Sequence, residues 1–348
     1  MATQEYAASI QGTAIRVTRL DATGNPLNGP GDSYTTSAFM RVSFTPEYEE
    51  GDEITEKSAN GIVCVTYKSP DTLKRITMEL AICEPDPELT NLVSGGILLR
   101  KNLGTFADQN VKSIGWASPA VGDDPSGNGV AIETWSLAIK DGKKANVLPY
   151  FHWVFPYVKL RQSGDRVIEN GLLANTFEGF GLGNDAFGDG PDERWEFPIA
   201  TERPYAYARS AWSPSGMTGF YTWHGDLTAA VSNTALASNV ATITTSAPHN
   251  YQPGDIVTVA SVGSPFDGTY TIATTPTTTT FTYAKTNADV TSASATGTTS
   301  VPAGGRPVTD LDSIDGTTSS DFNVPGNVDY NESLAIDVVL NSTEDPVS

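Results

Sequence analysis

Two cysteines and three histidines in 348 residues leave little material for metal or nucleophile chemistry. A zinc site or a catalytic triad needs several converging ligands or partners. His152, His224 and His249 are widely separated, with no HxH, HxxxH or CxxC spacing. His152 sits in an aromatic segment and is expected in the core or at an interface. His249 precedes a turn and is expected to cap it. Basic residues are scarce as well: 21 Lys and Arg stand against 41 Asp and Glu, a formal net charge of -20. A groove that grips nucleic acid draws its affinity from Lys and Arg on phosphates, and an anionic membrane surface makes the same demand. Neither fits this balance. The longest apolar run, 147–158, is too short and too polar to span a bilayer. The opening Met-Ala-Thr-Gln-Glu-Tyr lacks a basic then apolar leader, so no secretory signal is expected. Cys64 and Cys83 are expected inside strands as free, buried thiols in a reducing compartment.

What the chain has is β-sheet chemistry. Its 32 glycines, 22 prolines and long Thr/Ser runs favour many short strands over helices. Segments 13–20, 37–46, 61–68, 73–83, 96–101, 112–117, 130–139, 147–161 and 171–180 read as strands. In 73–83, Ile76, Met78, Leu80 and Ile82 alternate with Arg75, Thr77, Glu79 and Ala81, which predicts a sheet with one dry and one wet face. One helix start stands out. Asp86 can cap, Pro87 suits the first turn, and Gly95-Gly96 can end it after about two turns. After Asp226 the charge nearly vanishes. Five short strands at near-regular spacing (239–245, 255–262, 269–275, 280–285 and 291–300) predict a separate small all-β module over 228–302. Residues 303–348 form an acidic arm with a last strand at 333–340.

The densest charge is the run Glu47, Glu49, Glu50, Asp52, Glu53 and Glu56, six carboxylates with no basic residue among them. It joins the strands 37–46 and 61–68 and is expected as an acidic hairpin. A turn at 68–72 is expected to join the next two strands.

Weaker motifs carry little. Gly179-Phe-Gly181-Leu-Gly183 lacks the following helix of a dinucleotide loop. Asp310-Leu-Asp312-Ser-Ile-Asp315-Gly316 has Ile314 where a calcium loop wants oxygen, and the oxygen-rich loop 184–193 is a second calcium candidate. Paired carboxylates of a glycoside hydrolase are set by distance in space, not by sequence spacing. No enzyme signature emerges, and no cofactor is expected.

Several segments, in order, resemble the major tail tube proteins of long-tailed bacteriophages, especially those of actinobacterial hosts. They are Thr13-Ala-Ile-Arg-Val-Thr-Arg-Leu-Asp-Ala-Thr-Gly-Asn-Pro26, Val42-Ser-Phe with the acidic run, and Asn60-Gly-Ile-Val-Cys-Val. Leu80-Ala-Ile-Cys-Glu-Pro-Asp-Pro-Glu-Leu and Trp153-Val-Phe-Pro extend the match, which covers roughly residues 10–225. Thr23 and Asp32 stand where related sequences often carry cysteines. Residues 237–300 resemble a small β-module that recurs on phage virion proteins.

The resemblance implies a β-sandwich over 1–227 with one flanking helix, forming rings whose lumen is a β-barrel, plus a five-stranded, Ig-like or barrel module. It implies six-membered rings stacked into a tube in the virion tail, assembled in the host cytoplasm. The implied partners are the chain itself, a tape-measure protein, tail terminator and distal tail proteins, and DNA that passes without specific binding; no membrane insertion is implied. Arg41, Thr45, Arg75 and Glu79 would then face the lumen, with the six acids at a ring rim, meeting bases such as Arg41, Lys57 or Lys74 of the next ring. The alternative is a surface-binding protein whose module rings Tyr251, Phe266, Tyr270, Phe281 and Tyr283 stack on sugars.

Overall fold

A computed structural model describes residues 7–83, 85–102, 111–124, 127–164, 175–195 and 202–309. The chain is mainly β and divides into two compact units. The first comprises Met1–Gly188, Pro198–Thr222 and Pro307–Ser348; the second comprises Asp189–Phe197 and Trp223–Arg306. The expected module boundary at 227/228 therefore lies a few residues past the observed one, and 189–197 belongs with the second unit. The calcium-loop candidate 310–316 and the strand 333–340 lie outside the described residues.

The strands of the first unit are β1 (Ala8–Arg19), β2 (Ser33–Thr36), β3 (Phe39–Glu49), β4 (Glu53–Lys57), β5 (Val63–Lys68), β6 (Thr72–Ile82), β7 (Ile97–Asn102), β8 (Val111–Ala117), β9 (Val130–Lys140), β10 (Lys143–Lys144), β11 (Tyr150–Ser163), β12 (Asn175–Leu182), β13 (Ala206–Ser210) and β14 (Gly219–His224). Helix α1 covers Pro87–Ser94. The expected sandwich takes the form of one hydrogen-bonded sheet, running β14-β2-β1-β9-β11-β12-β6-β3, with β10 on β9 and β13 on β11. Two hairpins, β4–β5 and β7–β8, pair only within themselves.

Alternation places Ile76, Met78, Leu80 and Ile82 of β6 in one core with Ile15, Val17, Phe155 and Phe177. Helix α1 drives Leu89, Leu92 and Val93 into the same core. Its start is as the sequence indicates: the Asp86 carboxylate accepts from the Glu88 and Leu89 amides, Pro87 opens the first turn, and Gly95 ends the helix at φ 63°. The Tyr34 hydroxyl donates to the same Asp86 side chain. The aromatic segment becomes the inner strand β11, between β9 and the β12/β13 pair, with His152, Val154, Phe155 and Pro156 buried and Phe151, Trp153 and Tyr157 half-buried.

The other face of β1, β9 and β11 buries charge. Arg16 and Glu133 are each only 1% exposed. Arg16 grips Glu133 with Nε–Oε2 at 2.6 Å and Nη2–Oε1 at 2.8 Å. His152 Nε2 lies 2.9 Å from Glu133 Oε1. Trp135 stacks on His152 at 4.2 Å and meets Trp212 edge-on. The register sets Arg16 opposite Glu133 and Trp135 opposite His152, so three neighbouring strands deliver the cluster. Burial alone raises the Glu133 pKa, but the Arg16 charge and the His152 hydrogen bond outweigh it and hold the carboxyl well below its usual range.

The second unit carries β15 (Leu227–Ala237), β16 (Val240–Thr245), β17 (Ile256–Ala260), β18 (Gly268–Thr277), β19 (Thr280–Ala284), β20 (Val290–Ser294) and β21 (Thr298–Val301). The pairing β15-β16-β19-β18-β17-β21 returns from β21 to β15, so six strands close a barrel, and β20 adds to β15. Five strands are expected from the sequence, but the expected 291–300 is really β20 and β21, and β15 is additional. Its Leu-Thr-Ala-Ala-Val-Ser-Asn-Thr-Ala-Leu-Ala run has too few large residues to announce itself. Ile243, Val257, Ile272, Phe281 and Tyr283 fill the interior, making a packed core and not a pore.

Candidate functional site

The expected acidic turn is not a turn. Glu47 and Glu49 end β3, Glu50 and Asp52 lie in a short break, and Glu53 and Glu56 ride on β4. The hairpin tip is the Ser58–Gly61 turn, closed by Gly61 N–H donating to Ser58 O. The expected 68–72 turn does not pair its flanking strands either. Strand β6 returns to β3, and β4–β5 is nested beyond them as an extension of the same hairpin. The break is stitched by Ser69 N–H to Asp52 O at 2.9 Å and Gly51 N–H to Asp71 Oδ1 at 3.1 Å. Acids at this spacing can lie along an extended strand as readily as in a turn, and Ile54 and Thr55 between them favour the strand.

The β4–β5 ribbon is exposed at every residue. Its register opposes Ile54 to Tyr67 and Glu56 to Val65. Period two then gathers Ile54, Glu56, Val63, Val65 and Tyr67 on one face and Glu53, Thr55, Cys64, Thr66 and Lys68 on the other. Ile54, Val65 and Tyr67 keep 55%, 55% and 56% of their surface in solvent. Cys64 lies on this ribbon and is exposed, while Cys83 is half-buried. The expectation of two buried thiols inside strands therefore fails at Cys64, whose strand no second layer covers among the described residues, and holds only in part at Cys83, which follows the end of β6. At the root of the ribbon Tyr48 pairs with Leu73, and both are exposed. Ile54, Val65 and Tyr67 are the site residues that sequence reasoning missed; the alternation of 63, 65 and 67 was the available signal.

The remaining candidates meet on the wet face of the β3–β6–β12–β11 sheet. The registers align four rows: Glu47, Arg75, Leu182 and Tyr157; Thr45, Thr77, Phe180 and Lys159; Ser43, Glu79, Glu178 and Arg161; Arg41, Ala81, Thr176 and Ser163. Arg75 holds Glu47 through Nε–Oε2 at 2.5 Å and Nη2–Oε1 at 3.3 Å. The Arg75 hydrogen bond lowers the Glu47 pKa. Arg41 pairs with Glu79, Arg161 with Glu178 at 3.3 Å, and Lys159 with Asp124 at 3.1 Å. Thr77 donates to the Thr45 carbonyl at 3.3 Å. Thr45, Arg75, Glu79, Lys159, Arg161 and Glu178 line an open depression of about 690 Å³, with Phe180 beneath the Arg75 guanidinium at 5.7 Å. Arg41 and Arg75 are thus engaged within their own sheet. The structure brings Arg41, Thr45, Glu47, Arg75 and Glu79 together and leaves Glu49, Glu50, Asp52, Glu53 and Glu56 apart on the arm.

The weaker motifs resolve simply. Gly179 and Gly181 lie in β12, where a Cβ at Gly179 would meet the Lys159 carbonyl oxygen at 1.9 Å, so close strand approach explains the glycine. The Asn184 side chain is consumed by donation to the Gly24 and Pro156 carbonyls and by capping Ala186. Among the described residues no cluster of three His, Cys, Asp or Glu side chains is placed to hold a metal, and no helix is long and apolar enough to cross a membrane. His249 Nδ1 accepts from the Tyr251 amide at 2.9 Å, the capping expected of it. Tyr251, Phe266, Phe281 and Tyr283 are buried in the barrel, and Tyr270 stacks on Tyr283 at 4.2 Å with Lys285 against its ring. Four of the five rings therefore offer no stacking face to a sugar. In comparisons with protein-family models and with curated proteins, nothing matches this chain.

Proposed function

We propose that the chain is a structural, self-associating protein of the phage tail tube kind, whose copies join into six-membered rings and stack into a conduit for DNA in the virion tail. It is not an enzyme in this reading. The observation that carries it is the β4–β5 ribbon. An isolated two-stranded hairpin is marginal in water, and this one leaves Ile54, Val65 and Tyr67 uncovered. Fully burying such a side chain is worth about 1.5–3 kcal/mol, and a second copy would recover roughly half of that for each, since each is 55–56% exposed. Strand β3 ends the sheet order and offers its outer backbone groups for pairing. A head-to-tail contact of this type builds closed rings or open filaments.

In this reading the Arg41, Thr45, Arg75 and Glu79 face lines the channel and the arm acids sit toward the ring rim. The second unit is a decoration module in this reading. Tape-measure, terminator and distal tail proteins are the further partners. Light scattering on the eluting protein tests the association: wild type is expected as a multimer, and Ile54→Ser/Val65→Ser/Tyr67→Ser as a folded monomer. A monomeric wild type at high concentration would remove the basis of the reading.

A further inference from the structure

The wet face of β3, β6, β12 and β11 carries four cations, Arg41, Arg75, Lys159 and Arg161, and each is held by its own carboxylate: Glu79, Glu47, Asp124 and Glu178. The face is neutral in a chain of net charge -20. Three of the cations are guanidiniums, whose planar fork fits phosphate as well as carboxylate. Arg75, Lys159 and Arg161 line one concave depression, in which Phe180 offers an aromatic surface. A strip of this make-up matches a nucleic-acid backbone, yet each cation already has a carboxylate partner.

We propose that this face is a masked phosphodiester-binding surface: four cations arrayed for a polyanion and silenced by four carboxylates, so that a nucleic-acid strand passes over it without docking. The locks are partly exposed ion pairs, individually weak. They act by neutralising each cation in place, not by filling the face with negative charge. An all-acidic face would repel the strand and an unmasked one would hold it; the paired face does neither. The role in passage rests on the conduit reading, whereas the masking belongs to the single chain.

The test is binding of fluorescein-labelled oligodeoxythymidylate, followed by anisotropy across a salt series. Wild type is expected to show almost no salt-dependent binding. The variant Glu47→Gln/Glu79→Gln/Asp124→Asn/Glu178→Gln is expected to bind, with a log–log salt slope approaching about -2.8, from about 0.7 per phosphate contact on single strands and four cations. If that variant does not fold, Glu79→Gln/Glu178→Gln is expected to bind with a slope of about -1.4 on the same basis. The control Glu49→Gln/Glu50→Gln/Glu53→Gln/Glu56→Gln makes the same charge change on the arm and is expected to stay near wild type. Equal binding by the arm control would show that net charge alone is at work and overturn the proposal. So would a folded face variant that binds no better than wild type, or a wild type that already binds strongly. All proteins in the series also carry Ile54→Ser/Val65→Ser/Tyr67→Ser, so ring formation does not enter the readout, and failure here and failure of the self-association reading are distinguishable.

Discussion

Glu79 of β6 stands directly opposite Glu178 of β12, two carboxylates facing each other across one register position. Like charges so placed destabilise a sheet by a fraction of a kcal/mol. Arg41 draws Glu79 from one side and Arg161 draws Glu178 from the other. Each acid is thus compensated by an arginine, Arg161 within the row and Arg41 from the next, and the four-strand face stays neutral.

The apolar ribbon leads to the first prediction. Replacing Ile54, Val65 and Tyr67 by serine removes exposed side chains only, so the thermal midpoint of the monomer is expected to stay within a few degrees of wild type. Surface changes away from buried features cost about 0.5 kcal/mol or less. Association is expected to be lost. Multimers of unchanged size in the variant would show that the ribbon is not the contact.

Arg16→Met strands a buried carboxylate. Breaking such a pair costs about 3–5 kcal/mol, and a denaturant midpoint reads it directly. The pH sign follows from Glu133. Its folded pKa is depressed, so its stabilisation is present above the unfolded pKa and is lost as pH falls through the folded value. Without Arg16, burial dominates and penalises the charged form. The variant is therefore expected to lose more stability at pH 8 than at pH 5, and an equal loss at both would refute the assignment.

Glu88 carries the opposite sign. Burial raises its pKa, partly offset by the Ser113 hydroxyl, which donates to Oε1 at 2.6 Å. A raised carboxyl pKa means that stability falls as pH rises through the folded value. Glu88→Gln keeps the acceptor for Ser113 and removes the buried charge. It is expected to raise the thermal midpoint at pH 7, less the few tenths of a kcal/mol that an acid contributes at a helix start. The gain is expected to vanish toward pH 4. A lower midpoint at pH 7 would contradict the account.

Two glycines in strands are expected to behave differently. Gly179→Ala drives a Cβ into the Lys159 backbone at 1.9 Å and is expected to cost at least about 1–3 kcal/mol. At Gly115 in β8 the new Cβ meets only Leu99, at 3.5 Å. Gly115→Ala is expected to be neutral or stabilising by about 0.5–1 kcal/mol. Chemical denaturation of the two variants separates them, and similar midpoints would refute the packing argument.

Local signals carried much of the architecture. Asp86, Pro87 and Gly95 delimit α1 because capping is a matter of a few adjacent residues. The alternation of Ile76, Met78, Leu80 and Ile82 marks the dry face of β6 because strand period is local as well. Partner choice is not local: β6 pairs with β3 across the nested β4–β5 ribbon, and nothing in residues 68–72 announces this. The acid run concealed β4 because Glu, Thr and Ile tolerate either a strand or a turn. Arg16, Glu133 and His152 are far apart in sequence, and only the order β1-β9-β11 unites them. Of the candidate site, the residues on β3 and β6 were legible from alternation, whereas Lys159, Arg161 and Glu178 needed the registers of β11 and β12.

The central claim is self-association through the arm and sheet edge into a hollow ring. Negative-stain electron microscopy of the purified full chain tests it most directly. The account predicts rings or stacked tubes with an open centre, lost in the Ile54→Ser/Val65→Ser/Tyr67→Ser variant. A field of separate single particles without rings, at concentrations where the protein stays in solution, would contradict it.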